Sequence, residues 1–139
     1  MVIIAATLYH GTKERVILDP AFAGGATDNP TSVWGVFFTP DPQEAERYVK
    51  DFHGGEGTVI KAEVELKNPY HMTFGEYERF VKLDLSGDLQ AQHEANKQNA
   101  IAFKEELLSK GHDGIVIGQP GKMRPQEIVA FHRESITQL

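Results

Sequence analysis

The run TVIKAEVEL, residues 58–66, constrains the fold more than any other part of this chain. Ile60, Ala62, Val64 and Leu66 fall on one side of it and Lys61, Glu63 and Glu65 on the other. That period of two marks a strand with one face in a core and one in water. A strand wet on one side does not suit a parallel sheet covered by helices on both faces. The other apolar segments are just as short: residues 2–9, ending at His10-Gly11-Thr12 so that the strand breaks at Gly11, then 33–38, 115–117 and 128–131. Strands this short, interleaved irregularly with helices, make the expected class α+β.

The helices are punctuated clearly. Asp41 is placed to cap a helix with Pro42 in its first position and Glu44 three residues on, as in a capping box. Ala45, Tyr48, Val49 and Phe52 then recur along one face, and 53–55 (His-Gly-Gly) ends the helix. Thr73 and Glu76 repeat the cap spacing before a short helix carrying Tyr77, Phe80 and Val81. Residues 88–110 are mostly helix formers, with Ala100, Phe103, Leu107 and Leu108 on one face and Gly111 as the stop. Residues 19–32 (DPAFAGGATDNPTS) and 118–126 (GQPGKMRPQ) have loop composition.

Composition narrows the chemistry. The 139 residues suit one domain, with no linker or internal repeat, and a net charge of −6 argues against a basic surface for bulk nucleic-acid binding. The absence of cysteine removes disulfides and thiolate catalysis and fits a reducing, cytoplasmic setting. No secretory signal or membrane span is expected. The six histidines form no HxxxH or HxxEH pair, so no metal is expected. Neither GxGxxG, nor GxxxxGK[ST], nor GxSxG occurs.

Three positions can carry chemistry. His10-Gly11 presents an imidazole and a bare backbone together at a strand end, although a turn histidine beside a permissive glycine has the same text. Tyr48 lies on the apolar face of the capped helix, where a plain core aromatic also fits. Glu127 precedes the apolar run of residues 128–131, where a solvated strand-end carboxylate also fits.

Taken together with the text between them, these positions carry a resemblance. LYHGT (8–12), GVFFTPDPQEAERYV (35–49), GHDGIVI (111–117) and QEIVAF (126–131) occur in an order that resembles the ADP-ribosyltransferase superfamily. More narrowly, the chain is similar to its diphtheria-toxin and poly(ADP-ribose) polymerase branch, marked by His, Tyr and Glu on successive motif strands. In style it is similar to the short ADP-ribosyltransferase domains of phage and mobile-element polyvalent proteins. Rifamycin-modifying transferases and RNA 2′-phosphotransferases share the early text, but the late EIVAF fits them less well.

The resemblance implies a split β-sandwich of short strands with flanking helices around an NAD cleft. It implies that His10 binds the adenosine-side ribose, and that Gly11, with Thr12 beside it, grips the nicotinamide carboxamide through its backbone. Tyr48 matches the aromatic that stacks on the nicotinamide, and Glu127 matches the catalytic glutamate on the ribose 2′-hydroxyl. Phe37 stands where that branch usually has a tyrosine, and Ala45 where it has a small hydroxyl residue, so this chain departs by two hydroxyls. Lys13 and Arg15 are the nearest candidates for the pyrophosphate. Lys122, Arg124 and Gln126 lie in the loop that helps choose the acceptor, and Pro125, two residues before Glu127, argues against arginine as that acceptor.

The expected activity is NAD-dependent mono-ADP-ribosyl transfer to a macromolecule, protein foremost, by a phage or bacterial effector. The alternatives are an NAD glycohydrolase on the same residues and a non-catalytic NAD- or ADP-ribose-binding module.

Overall fold

The alternating run at residues 58–66 becomes the strand to which the rest of its sheet is attached. In a computed structural model, which describes residues 4–12, 17–20, 30–52 (Phe52 by its backbone), 54, 56–118 and 126–139, it forms β3, Thr58–Leu66, between two antiparallel partners. One is β1, Ile4–Thr12, and the other is β7, Ile136–Gln138. A second sheet has the order β2 (Val36–Phe38), β6 (Glu127–Ala130), β5 (Gly114–Ile117), β4 (Pro69–Met72), antiparallel except for the β4–β5 pair. Among the described residues three α-helices accompany them: α1, Pro42–Phe52; α2, Phe74–Glu78; and α3, Leu89–Ser109. Two small sheets with flanking helices are the α+β class read from the sequence and the split sandwich that the resemblance implies.

Two apolar clusters follow from the alternation of the strands. Leu8, Ile60, Ala62, Val64 and Leu66 of the first sheet meet Val36, Phe38, Val116, Ile128 and Ala130 of the second. The other face of the second sheet packs Ile115, Ile117 and Val129 against Tyr77, Ala100 and Leu107 from the helices, around a fully buried Trp34.

Several local expectations need correction. β1 does not break at Gly11 but runs on to Thr12, because Val59 and Thr58 continue its register. Residues 33–38 are not one strand. A 3₁₀ helix, Pro30–Trp34, precedes β2, and it lets the Trp34 indole N–H donate to the Ala100 carbonyl at 2.8 Å. The Asn68-Pro69 stop is followed at once by β4, an edge strand that opens on proline, where a missing N–H is tolerated.

Asp41 caps α1 by accepting from Gln43 N at 2.9 Å, but Glu44 completes no capping box: its carboxylate takes Arg47 at 2.6 Å instead. The box at Thr73 and Glu76 is complete. Leu108 is 38 % exposed, one residue past the buried Ala100–Leu107 stripe of α3. Gly111, at φ +83°, closes α3 as a Schellman motif: Gly111 N donates to Leu108 O and His112 N to Leu107 O, both at 3.0 Å.

Asp113 ties the sheets' connections together. Its carboxylate accepts Lys67 N at 2.7 Å and Asn68 N at 3.0 Å, fixing the turn from β3 to β4, while its carbonyl accepts Phe131 N. Two backbone donors lose a charged acceptor if it is truncated. Asp113→Ala should therefore lower stability by about 1–3 kcal/mol in urea unfolding, and Asp113→Asn by less, because one acceptor oxygen remains.

Candidate active site

The site begins where the two sheets touch. Tyr9 and Thr39 exchange backbone hydrogen bonds of 2.9 Å in both directions, an isolated antiparallel bridge between β1 and the residue just after β2. Carrying that register along the strands sets Gly11 across from Phe37. Extending the β2–β6 register by one residue sets Thr39 across from Glu127. Residues opposite one another share a face. Gly11, Phe37 and Glu127 thus lie on one face running from β1 through β2 to β6, with the Glu127 backbone two strand spacings, about 10 Å, from that of β1.

Helix α1 lies over the β1 end of this face. A methyl group on Gly11 would sit 2.6 Å from Ala45 O, 3.1 Å from Val49 Cγ2 and 3.3 Å from Tyr48 Cδ1. Glycine is therefore required by close approach of the helix rather than by a turn. The contact brings the half-buried Tyr48 ring against the Gly11 backbone. Burial raises the Tyr48 pKa above its ordinary 10.0, and the negative charge of Glu127 pushes it the same way. The phenol is protonated throughout the neutral range and close enough to Glu127 to sense its charge.

His10 points to the other face of β1 by alternation. Its Nδ1 lies 2.6 Å from the Phe37 carbonyl, and because a carbonyl only accepts, Nδ1 carries the hydrogen. The imidazole edge rests on Phe38 at 5.9 Å. Phe37 is half-buried and stacked nearly parallel on Trp34, 6.4 Å between centroids and 7° between planes. Thr12 closes β1, and Gln126 is half-buried just ahead of β6. Lys13, Arg15, Lys122, Arg124 and Pro125 lie outside the described residues.

The fold thus gathers Gly11, Phe37, Tyr48 and Glu127 on one side of the junction, with His10 anchored through it. Sequence reading missed two contributors. Thr39 makes the bridge, and its hydroxyl accepts Asp41 N at 3.2 Å, joining the bridge to the start of α1. Trp34, read as part of a strand, is the base on which Phe37 rests. A shallow recess walled by Ala5, Glu63, Glu65 and Glu134 lies toward the opposite end of β1 and shares none of these residues. Among the described residues, no three His, Asp or Glu converge as a metal site, and no helix is long and apolar enough to cross a membrane.

Two split sheets joined at one bridge, with the histidine and glycine on the first strand and the glutamate opening a late one, have the architecture of an ADP-ribosyltransferase domain. The chain belongs to the family described as ADP-ribosyltransferase in polyvalent proteins, which matches residues 5–138. No curated protein matches it.

Two outcomes follow from this geometry. Gly11→Ala should push α1 off β1 and cost about 1–3 kcal/mol by thermal or urea unfolding, as overpacking at a rigid contact does. Glu127→Gln removes the smaller cause of the Tyr48 shift, so its pKa should fall yet stay above 10.0 in an NMR titration of the tyrosines. Because that pKa is raised on folding, its contribution to stability is complete below the unfolded value and is lost as pH climbs through the folded one.

Proposed function

We propose that this chain is an NAD-dependent mono-ADP-ribosyltransferase, cleaving the nicotinamide–ribose bond and passing ADP-ribose to a macromolecular acceptor. The single observation that supports this most is the Tyr48 ring packed on the Gly11 backbone within reach of the Glu127 charge. A flat aromatic face, a bare peptide and a carboxylate are the three things a departing nicotinamide riboside needs.

In this reading the nicotinamide, a flat cation before it leaves, stacks on Tyr48 with Phe37 beside it, an attraction of roughly 0.5–2 kcal/mol. The Gly11 and Thr12 backbone holds its carboxamide, and His10 takes the adenosine-side ribose. Lys13 and Arg15 serve the pyrophosphate. The C1′–N bond breaks with its electron pair going to nicotinamide, which leaves neutral. A lone pair on the acceptor then forms the new bond to C1′, and the acceptor's proton passes to solvent.

The transition state resembles the oxocarbenium ion of glycoside hydrolysis. Glu127 accepts a hydrogen bond from the 2′-hydroxyl and places negative charge beside positive charge that exists only in that state, so its effect falls on rate rather than binding. Lys122, Arg124 and Gln126 are the residues assigned to acceptor choice, for which a protein side chain other than arginine is the first candidate. The setting is the cytoplasm of a cell in which a phage or bacterial effector works.

Incubating the protein with labelled NAD and a cell lysate tests this. Label should appear in macromolecules, and Glu127→Gln should cut transfer by on the order of 10²–10³. That variant should leave NAD affinity within about twofold, as expected for a group acting mainly in the transition state. Free ADP-ribose without labelled macromolecules would make the chain a glycohydrolase. NAD uptake without nicotinamide release would make it a binding module and overturn the enzymatic reading.

A further inference from the structure

The chain holds a single tryptophan, and it stands directly before the Gly35-Val36-Phe37 segment that enters the site. Trp34 is fully buried, at 0 % exposure. It meets Phe80 at 5.1 Å, Phe103 at 5.9 Å and Tyr77 at 6.1 Å edge-on or tilted, and its indole N–H is held by the Ala100 carbonyl of α3 at 2.8 Å. Phe37 alone of these rings lies nearly parallel to the indole, 6.4 Å between centroids and 7° between planes, so the plane of the one sets the plane of the other.

Phe37 has no hydroxyl, so no hydrogen bond through its own side chain can set the angle of its ring. It stands across from Gly11 and shares a face with Glu127. We infer that Trp34 is a positioning residue for the ligand site: anchored to α3 through its N–H, it fixes the plane of Phe37 and so the slot between Phe37 and Tyr48 that the nicotinamide enters. This rests on the NAD reading above and adds to it a residue that never touches the ligand. It also links the site to the middle of α3, because Ala100 holds the indole and the indole holds Phe37.

The test compares NAD binding by calorimetry in wild type, Trp34→Phe, Trp34→Leu and Phe103→Leu, each at a temperature where circular dichroism shows it folded. Phe103→Leu loosens the same cluster without touching Phe37 and serves as the packing control. Trp34→Leu removes the flat support and should weaken NAD binding by about 3- to 10-fold, the scale of one lost aromatic pair. Trp34→Phe restores a ring and should recover most of that loss, while Phe103→Leu should bind as wild type does. Wild-type affinity in Trp34→Leu, or an equal loss in Phe103→Leu, would overturn the inference and leave Trp34 as core filling.

If Trp34→Leu does not fold, Trp34→Met, which fills the same space without a flat ring, takes its place and should show the same loss. Wild-type affinity in that variant would refute the inference while leaving the NAD reading intact. No NAD uptake by the wild-type protein would overturn the NAD reading itself, and this inference with it.

Discussion

Two backbone hydrogen bonds between Tyr9 and Thr39 join what would otherwise be two separate sheets. The first sheet ends laterally at β1 and the second at β2, and the shared core of Leu8, Phe38, Ile60 and Ile128 packs them together behind this bridge. The bridge sets a register, and a register decides which side chains share a face. A slip of one residue would turn Gly11 away from Phe37 and Glu127. The Thr39 hydroxyl then accepts Asp41 N, so the same residue also fixes where α1 starts and, two turns later, where Tyr48 stands. His10 reinforces the junction through the Phe37 carbonyl, the place where a second rung of the ladder would otherwise lie.

How much of this could be read from the sequence depended on whether a side chain or the backbone carried the information. β3 was legible because one face is buried and one is wet, and the cap at Thr73 and the stop at Gly111 were legible because each uses a residue type suited to its backbone geometry. β4 and β7 were not: each is an edge strand of three or four residues with one partner, too short for alternation to register, and β4 opens on proline. Residues 33 and 34 looked like strand because valine and tryptophan favour it. Burying the indole with its N–H satisfied outweighed that local preference. At the site, His10, Gly11, Tyr48 and Glu127 carried recognisable text, but their convergence depends on a backbone bridge that any residue type could make. Nothing in the letters marks Thr39 or Trp34 as the residues that bring it about.

Under the proposed reading, the charge distribution of the site is complementary to the reaction rather than to the dinucleotide at rest. A carboxylate at Glu127 repels an anionic ligand overall, and it attracts the one region that turns positive as the glycosidic bond breaks. The Tyr48 pKa, raised by burial and by that same carboxylate, keeps the phenol neutral, so the ring offers an uncharged π-face to a cation without a second anion beside Glu127. Affinity for the phosphates must come from elsewhere, which is why Lys13 and Arg15, which follow β1 in the sequence, are assigned to them.

The two hydroxyls absent at Phe37 and Ala45 change how such a site can select its ligand. A tyrosine and a small hydroxyl residue would fix a carboxamide with directional bonds that tolerate small movements of the scaffold. Here Ala45 is buried, its carbonyl lies close over Gly11, and Phe37 is held by the flat face of Trp34. Orientation therefore falls to ring planes and to a peptide backbone, whose positions are set by packing. Packing interactions decay steeply with distance, so under the proposed reading a displacement of α1 or α3 too small to break a hydrogen bond still changes how Tyr48 and Phe37 meet a bound ring. Under the proposed NAD reading, selectivity then depends on how the helices are seated on the sheets more than on any polar group at the site.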